Sequence, residues 1–195
     1  MEPFFIDKTV KNLHTFCVDL EIQANESSDN DKIILIRSVQ NIACFLINIF
    51  ARSFPINEEI FKLIYKTADQ EEISTSLKGF YILRTSKRIL ISEAWSYYEN
   101  FFQKKINDDT KFGKELLRKY YKSNDNIPVV VDFLRETRNC SHNNWKYGST
   151  KNNMECVIDG ATYKLEPGKE IEFAGFPELL NLIKDSLKSI DRSSI

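Results

Sequence analysis

Apolar residues recur along this chain at three- and four-residue steps far more often than at alternate positions, a periodicity that predicts helices. The clearest stripe is Ile33, Ile36, Val39, Ile42, Ala43, Leu46, Ile49 and Phe50; it predicts a helix from about Lys32 to Ser53, stopped by Pro55. A helix from about Val10 to Ala24 precedes it and ends at the polar stretch 25–31. Asn57 suits the N-cap of a short helix from Glu58 to Ala68. Glu71 to Ile106 reads either as one long helix or as a pair broken near Gly79, with Trp95, Tyr97, Tyr98, Phe101 and Phe102 loading one end. Asn107–Thr110 is a turn in which Asp109 or Thr110 can cap the next helix, to about Lys122. After a loop at 124–127, Pro128 suits the first turn of a helix carrying Val129, Val130, Val131, Phe133 and Leu134.

The pattern changes after Tyr147. Asp159-Gly160 at the centre of 157–163 is a strong two-residue hairpin signal, and Pro167-Gly168 marks a second turn before Glu170-Ile171-Glu172-Phe173. Leu179, Leu180, Ile183 and Leu187 then predict a last helix at about 177–190. The fold class expected is mainly α: one domain over 1–195, a helical bundle with a β-hairpin or three-stranded meander at about 154–173 inserted before the C-terminal helix.

Composition supports this picture. Apolar content of 42% with 28% charged residues is globular, and 6 Gly with 5 Pro is too few for a turn-rich all-β fold. The four cysteines, Cys17, Cys44, Cys140 and Cys156, form no CxxC pair, and the two histidines, His14 and His142, lie far apart. Reduced thiols and no structural zinc are therefore expected, as is the absence of any metal or other cofactor. Glu2 and Asp7 stand where a secretory signal would be basic. The run from Ile33 to Phe54 is interrupted by Arg37, Gln40, Asn41, Asn48 and Arg52. No membrane partner and a soluble, cytoplasmic protein are expected.

Charge is segregated. Residues 1–77 carry 7 basic and 12 acidic side chains (net −5), residues 78–151 carry 15 and 8 (net +7), and residues 152–195 carry 5 and 8 (net −3), which sum to the overall −1. A basic central block points toward a polyanionic ligand, RNA being the natural candidate, although Lys and Arg also decorate ordinary solvated helix faces.

Within that block, Arg135-Glu136-Thr137-Arg138-Asn139-Cys140-Ser141-His142-Asn143-Asn144 follows the apolar run. At about 100° per residue from Val130, positions 134, 137 and 141 continue the buried stripe, while Arg138, His142 and Arg135 fall at about 80°, 120° and 140°. These three predict a cationic face. Imidazole suits proton transfer near neutrality and guanidinium suits phosphate oxygens, which together are what metal-independent cleavage of a phosphodiester requires. Asn139 and Asn143 can donate hydrogen bonds to substrate. One histidine is thin for both acid and base, so two chains meeting about a two-fold axis, a homodimer, would complete such a site.

Arg138-Asn139-Cys140-Ser141-His142-Asn143-Asn144, followed by Tyr147, a hairpin and a final helix, resembles the Arg-Asn … His signature of the HEPN superfamily, the "higher eukaryotes and prokaryotes nucleotide-binding" helical domains. The likeness is to a branch of uncharacterised bacterial members and covers roughly the last third of the chain. It implies an all-α bundle that dimerises with Arg and His facing the dimer axis. It also implies a metal-independent endoribonuclease of toxin or phage-defence type, with an antitoxin or regulatory protein as a further partner. On this reading Arg138 and His142 are catalytic, and Arg135, Asn139, Asn143 and Tyr147 bind substrate. Three residues separate Arg138 from His142 and six separate Arg135 from it, an interval closer to the family's usual one, so either arginine can fill the role; Arg138 has the following Asn. The alternative is a catalytically inactive HEPN-like module that binds a partner protein or a nucleotide.

Competing readings are simpler. Basic groups in the last turn of a helix complement its dipole, and Asn143-Asn144 can form a left-handed C-cap. The Trp95–Phe102 aromatics read as core or dimer interface before base-stacking platform, and Arg84, Lys87 and Arg88 line either an RNA path or bulk solvent. His14 reads as a packed or surface residue and Cys140 as a small core residue.

Overall fold

The computed structural model describes residues 3–53, 71–107, 113–123, 125–148, 151–171 and 175–190. Among these, six helices and one hairpin follow in the order α1 (Pro3–Glu26), α2 (Asn30–Ser53), α3 (Glu71–Ile106), α4 (Gly113–Tyr120), α5 (Val129–His142), β1 (Met154–Ile158), β2 (Ala161–Leu165) and α6 (Phe176–Ser189). The mainly α expectation holds, with the small antiparallel sheet placed before the last helix.

Glu71–Ile106 is one continuous helix of 36 residues, with no break at Gly79. Its apolar positions Leu90, Ile91, Ala94, Trp95, Tyr98, Phe101 and Phe102 are all buried, and α2, α4, α5 and α6 pack around it. The Trp95–Phe102 aromatics are thus core rather than a platform for bases, with Tyr97 partly buried against them. Stacked Trp95 and Tyr98, and an edge-on Tyr120–Tyr121 pair beside Phe102, fill the space that α4 closes. Tyr98 Oη donates to the Ile183 carbonyl at 3.0 Å, and Ser186 Oγ reaches the Val130 carbonyl at 3.2 Å, tying α6 to α3 and α5. Lys104 and Lys105 pair with Asp31 and Asp29, joining the end of α3 to the start of α2.

The hairpin has the predicted two-residue turn. Ile158 pairs with Ala161 across Asp159 (φ 50°) and Gly160 (φ 78°), the two positive φ values that a type I′ turn requires. Glu166-Pro167-Gly168-Lys169 forms the second turn, closed by Lys169 N–H to the Glu166 carbonyl at 3.0 Å. Beyond it Glu170 makes only an isolated bridge with Lys146, so among the described residues the sheet has two strands rather than three. The bridging segment instead pairs with the stretch after α5: Tyr147 and Gly168, Tyr147 and Lys169, and Trp145 and Ile171 are linked at 2.9–3.0 Å. Here the returning chain's backbone groups find partners in the segment after α5, and Glu172 and Phe173, the rest of the expected third strand, lie outside the described residues. The expected helix at 58–68 and the caps at 109–110 lie outside the described residues, and α4 ends at Tyr120 rather than Lys122.

By length and composition Asn30–Phe50 is apolar enough to cross a bilayer, despite its polar interruptions. In this fold Leu35, Ile36, Val39, Ala43, Leu46 and Phe50 on one side of it are buried in the bundle.

Removing the Tyr98 hydroxyl should cost about 1 kcal/mol, the net worth of one buried hydrogen bond. Tyr98→Phe is therefore expected to lower the melting temperature by about 2–4 °C with an unchanged circular dichroism spectrum, measured by thermal denaturation.

Candidate functional site

The end of α5 is built by its cap. Asn143 N–H and Trp145 N–H both donate to the Cys140 carbonyl, at 2.9 and 2.7 Å, and the left-handed turn falls on Asn144 (φ 51°) and Trp145 (φ 63°). Asn144 tolerates that conformation readily; a tryptophan does not, and burial of its ring to 7% exposure holds it there. The C-cap expected from Asn143-Asn144 thus forms one residue later, with Asn143 itself at φ −103°. Asn143 Nδ2 donates to the Lys146 carbonyl at 3.1 Å, so its amide supports the loop.

This cap presents His142 to solvent beside α3, which runs antiparallel to α5. Arg88 Nη2 lies 3.4 Å from His142 Nδ1, Ser92 Oγ lies 3.3 Å from Nε2, and Arg84 Nη2 reaches the Asn144 carbonyl at 3.5 Å. Guanidinium can only donate, so Nδ1 accepts; the imidazole proton then sits on Nε2 and is donated to Ser92 Oγ. That is the neutral tautomer. Partial burial, then the positive fields of Arg138 and Arg88, lower the His142 pKa from its usual 6.5, which keeps the ring neutral at physiological pH.

Arg138 is half-buried one turn back. Its Nη1 donates to Asn139 Oδ1 at 3.3 Å, while its buried Nε has no hydrogen-bond partner. Among the described residues no carboxylate forms an ion pair with Arg84, Arg88, Arg138 or His142. Lys87, half-buried nearby, has its pKa lowered by burial, with Glu178 opposing and Arg84 adding to the shift. The result is an open face carrying uncompensated positive charge around a neutral imidazole.

Arg135 does not join this face. It is 7% exposed and its guanidinium is held by Asp132, at 2.7 Å, and by Glu136, while Lys151 closes on the other Glu136 oxygen. The helical projection placed Arg135 within about 20° of His142, but projection discards the axial coordinate: seven residues at 1.5 Å separate them by about 10 Å. Arg135 belongs instead to a cleft of about 540 Å³ lined by Lys114, Asp132, Glu136, Tyr147 and Lys151. Tyr147 lies in that cleft too, 5% exposed with the Lys151 ammonium 5.4 Å from its ring centroid. Gly113 accommodates the arginine, since a Cβ there would meet Arg135 Cδ at 2.9 Å. Of the six candidate residues, the fold therefore groups Arg138, Asn139, His142 and Asn143 at one end of α5, and Arg135 with Tyr147 at another place.

Two partners of His142 come from α3. Arg88 stood out as a basic residue; Ser92 did not, and its only signal is the four-residue step that puts it on the Arg88 face. Cys140 is a buried core thiol whose pKa rises to about 12 through burial and the Glu136 charge. His14 is exposed. Among the described residues no three His, Cys, Asp or Glu side chains come together as metal ligands.

Comparison of the chain with protein-family models, with curated proteins and with solved structures gives no match. The chemistry is accordingly read from the geometry alone.

Two titrations check it. The His142 ring should titrate below 6.5 and Arg88→Ala should move its midpoint upward, followed by NMR. Burial raises the Glu136 pKa, but Lys151 and Arg135 outweigh it and hold the carboxyl below its usual 4.5. Its folded pKa is depressed, so its stabilisation is present above 4.5 and lost as pH falls through the folded value. Glu136→Gln should therefore destabilise at neutral pH, and the gap from wild type should close in acid, read by urea denaturation.

Proposed function

We propose that the α3–α5 face binds the phosphodiester backbone of RNA and that the chain is a HEPN-like, metal-independent endoribonuclease. In this reading it acts in the cytoplasm as a homodimer, in a toxin or phage-defence role under the control of an antitoxin or regulatory protein. The observation that carries the RNA reading is the convergence of exposed Arg84, Arg88 and a neutral His142 with half-buried Arg138, from two helices, where among the described residues no carboxylate pairs with them. Isolated guanidinium groups on an open ridge suit a polymer of phosphates better than a small enclosed ligand.

In the reaction a phosphate draws Arg88 away from Nδ1, which then accepts the proton of the ribose 2′-OH. The 2′-oxygen bonds to phosphorus and the bond to the 5′-oxygen breaks. The products are a 2′,3′-cyclic phosphate and a 5′-hydroxyl, the leaving oxygen taking up a proton from an imidazolium. Arg138 and Arg88 offset the extra negative charge on the phosphorane.

A second reading has its own support. Both His142 nitrogens are engaged within the chain, by Arg88 and Ser92. That arrangement equally suits an inactive HEPN-like module whose cationic face holds a nucleotide or an acidic partner protein.

Cleavage of single-stranded RNA in excess EDTA, yielding 2′,3′-cyclic phosphate ends, is the expected result. His142→Ala should lower the rate by about 10²-fold or more. Arg84→Ala and Arg88→Ala should each flatten the salt dependence of RNA binding by about 0.7 in the logarithmic slope. RNA binding without cleavage by the folded wild type would leave the inactive module; no RNA binding at all would sink both the nuclease and the reading of the α3–α5 face as an RNA-binding surface.

A further inference from the structure

Two of the four thiols face one another. Cys17 of α1 and Cys44 of α2 meet across the groove between the antiparallel helices, with their sulfurs 3.8 Å apart. A disulfide needs about 2.0 Å between sulfurs, and rotation of two facing side chains closes a gap of that size.

Helix packing sets this contact. Gln40 Nε2, one turn before Cys44, donates to the Cys17 carbonyl at 3.0 Å. One turn after Cys17, Glu21 Oε1 accepts from Arg37 Nη2 at 2.7 Å. On the inner sides of the same two helices Leu13, Phe16, Leu20, Val39, Ala43 and Leu46 are buried in the core. Core and groove together fix the register that keeps the sulfurs adjacent.

The two sulfurs differ in access. Cys44 is exposed and Cys17 is half-buried behind it. Burial, and then the neighbouring Cys44, push the Cys17 thiol up to about 12. Cys140 and Cys156 are both buried, and burial raises their thiols to about 12 and about 11. Cys44 is therefore the sulfur that a reagent in water reaches, with a second thiol waiting beside it. A cysteine used only for packing is among the most buried of residues, which Cys44 is not. An accessible thiol backed by a less accessible one is the arrangement of an attacking and a resolving cysteine.

We propose that Cys17 and Cys44 are an oxidation site, closing reversibly to a disulfide by exchange with a low-molecular-weight disulfide such as oxidised glutathione. The Cys44 thiolate attacks one sulfur of that disulfide; a bond forms to Cys44 and the other sulfur leaves as a thiolate. Cys17 then gives its proton to water and attacks the Cys44 sulfur, expelling the second small thiolate. The two protein thiols lose two electrons and two protons, which end on two molecules of the small thiol. Capping Cys44 removes the neighbouring charge that raises Cys17, and a sulfur 3.8 Å away meets its target without diffusion. In a reducing compartment the pair rests as thiols and closes only when small disulfides accumulate. The bond joins α1 to α2 across 27 positions of chain and so restricts the unfolded state. It involves α1 and α2, whereas the arginines and His142 lie on α3 and α5, so it stands apart from the RNA reading.

The reduced full chain, equilibrated with oxidised glutathione and then alkylated, should lose the mass of two hydrogens and yield a Cys17–Cys44 cross-linked peptide. Dithiothreitol should restore both thiols. Closing a loop of this length should raise the melting temperature by about 5 °C or more over the reduced protein. In Cys17→Ser the exchange should stop at a glutathione adduct on Cys44, and in Cys44→Ser the Cys17 thiol should stay free over the same time. A wild type that keeps both thiols, stops at the Cys44 adduct or cross-links only between chains overturns the proposal. So does a cross-link that lowers the melting temperature, because it forms only by prising the helix pair apart. These wild-type outcomes decide the matter whether or not either variant folds.

Discussion

Burial of one face of α3 is the constraint on which the rest depends. Leu90, Ile91, Ala94, Trp95, Tyr98, Phe101 and Phe102 bring α2, α4, α5 and α6 against a single 36-residue helix. A large apolar side chain contributes about 1.5–3 kcal/mol on leaving water, so the six large ones together outweigh any surface ion pair in the molecule. Because α5 is apolar on the side that meets α3, its antiparallel course sets the end of α5 beside exposed Arg84 and Arg88 and half-buried Ser92. The cationic face is a by-product of core packing, and its residues lie just outside the line where the core ends.

The same short helix carries charge in two physically different states. At its middle, Arg135, Glu136, Asp132 and Lys151 neutralise one another, Arg135 and Glu136 almost out of contact with water. Removing one member there strands a buried partner, which makes that group structural. At its end, Arg138 and His142 face Arg84 and Arg88 with no counter-charge, and the cost of holding cations together is small because water screens them. Uncompensated charge of this kind is relieved when an anion binds. That contrast, more than the identity of any residue, separates the part of α5 that holds the fold from the part that carries uncompensated charge.

The left-handed Trp145 sits between the two. It anchors the chain after α5 so that backbone pairing with 168–171 brings the hairpin segment across the end of the helix. The loop carrying Asn143 and Asn144 is thereby fixed to the core on both sides, and His142 is presented from a rigid turn.

Much of this was legible in the amino-acid order. Three- and four-residue periodicity located α1, α2, α3, α5 and α6 to within a few residues, except that α1 begins earlier, and Asp159-Gly160 located the hairpin, because helix period, proline stops and positive-φ turns are local properties of the chain. The buried Leu134, Thr137 and Ser141 followed from the same count. The sequence by itself therefore determined the helical class, the amphipathic faces and the basic character of the central block. Only the tertiary structure decided which basic residues act together. Arg135 and His142 share a direction on the helical wheel yet stand about 10 Å apart along the axis. Arg88 and Ser92 reach His142 across 50 or more positions of chain, at a distance set by how α3 and α5 pack and by nothing in the local order of either.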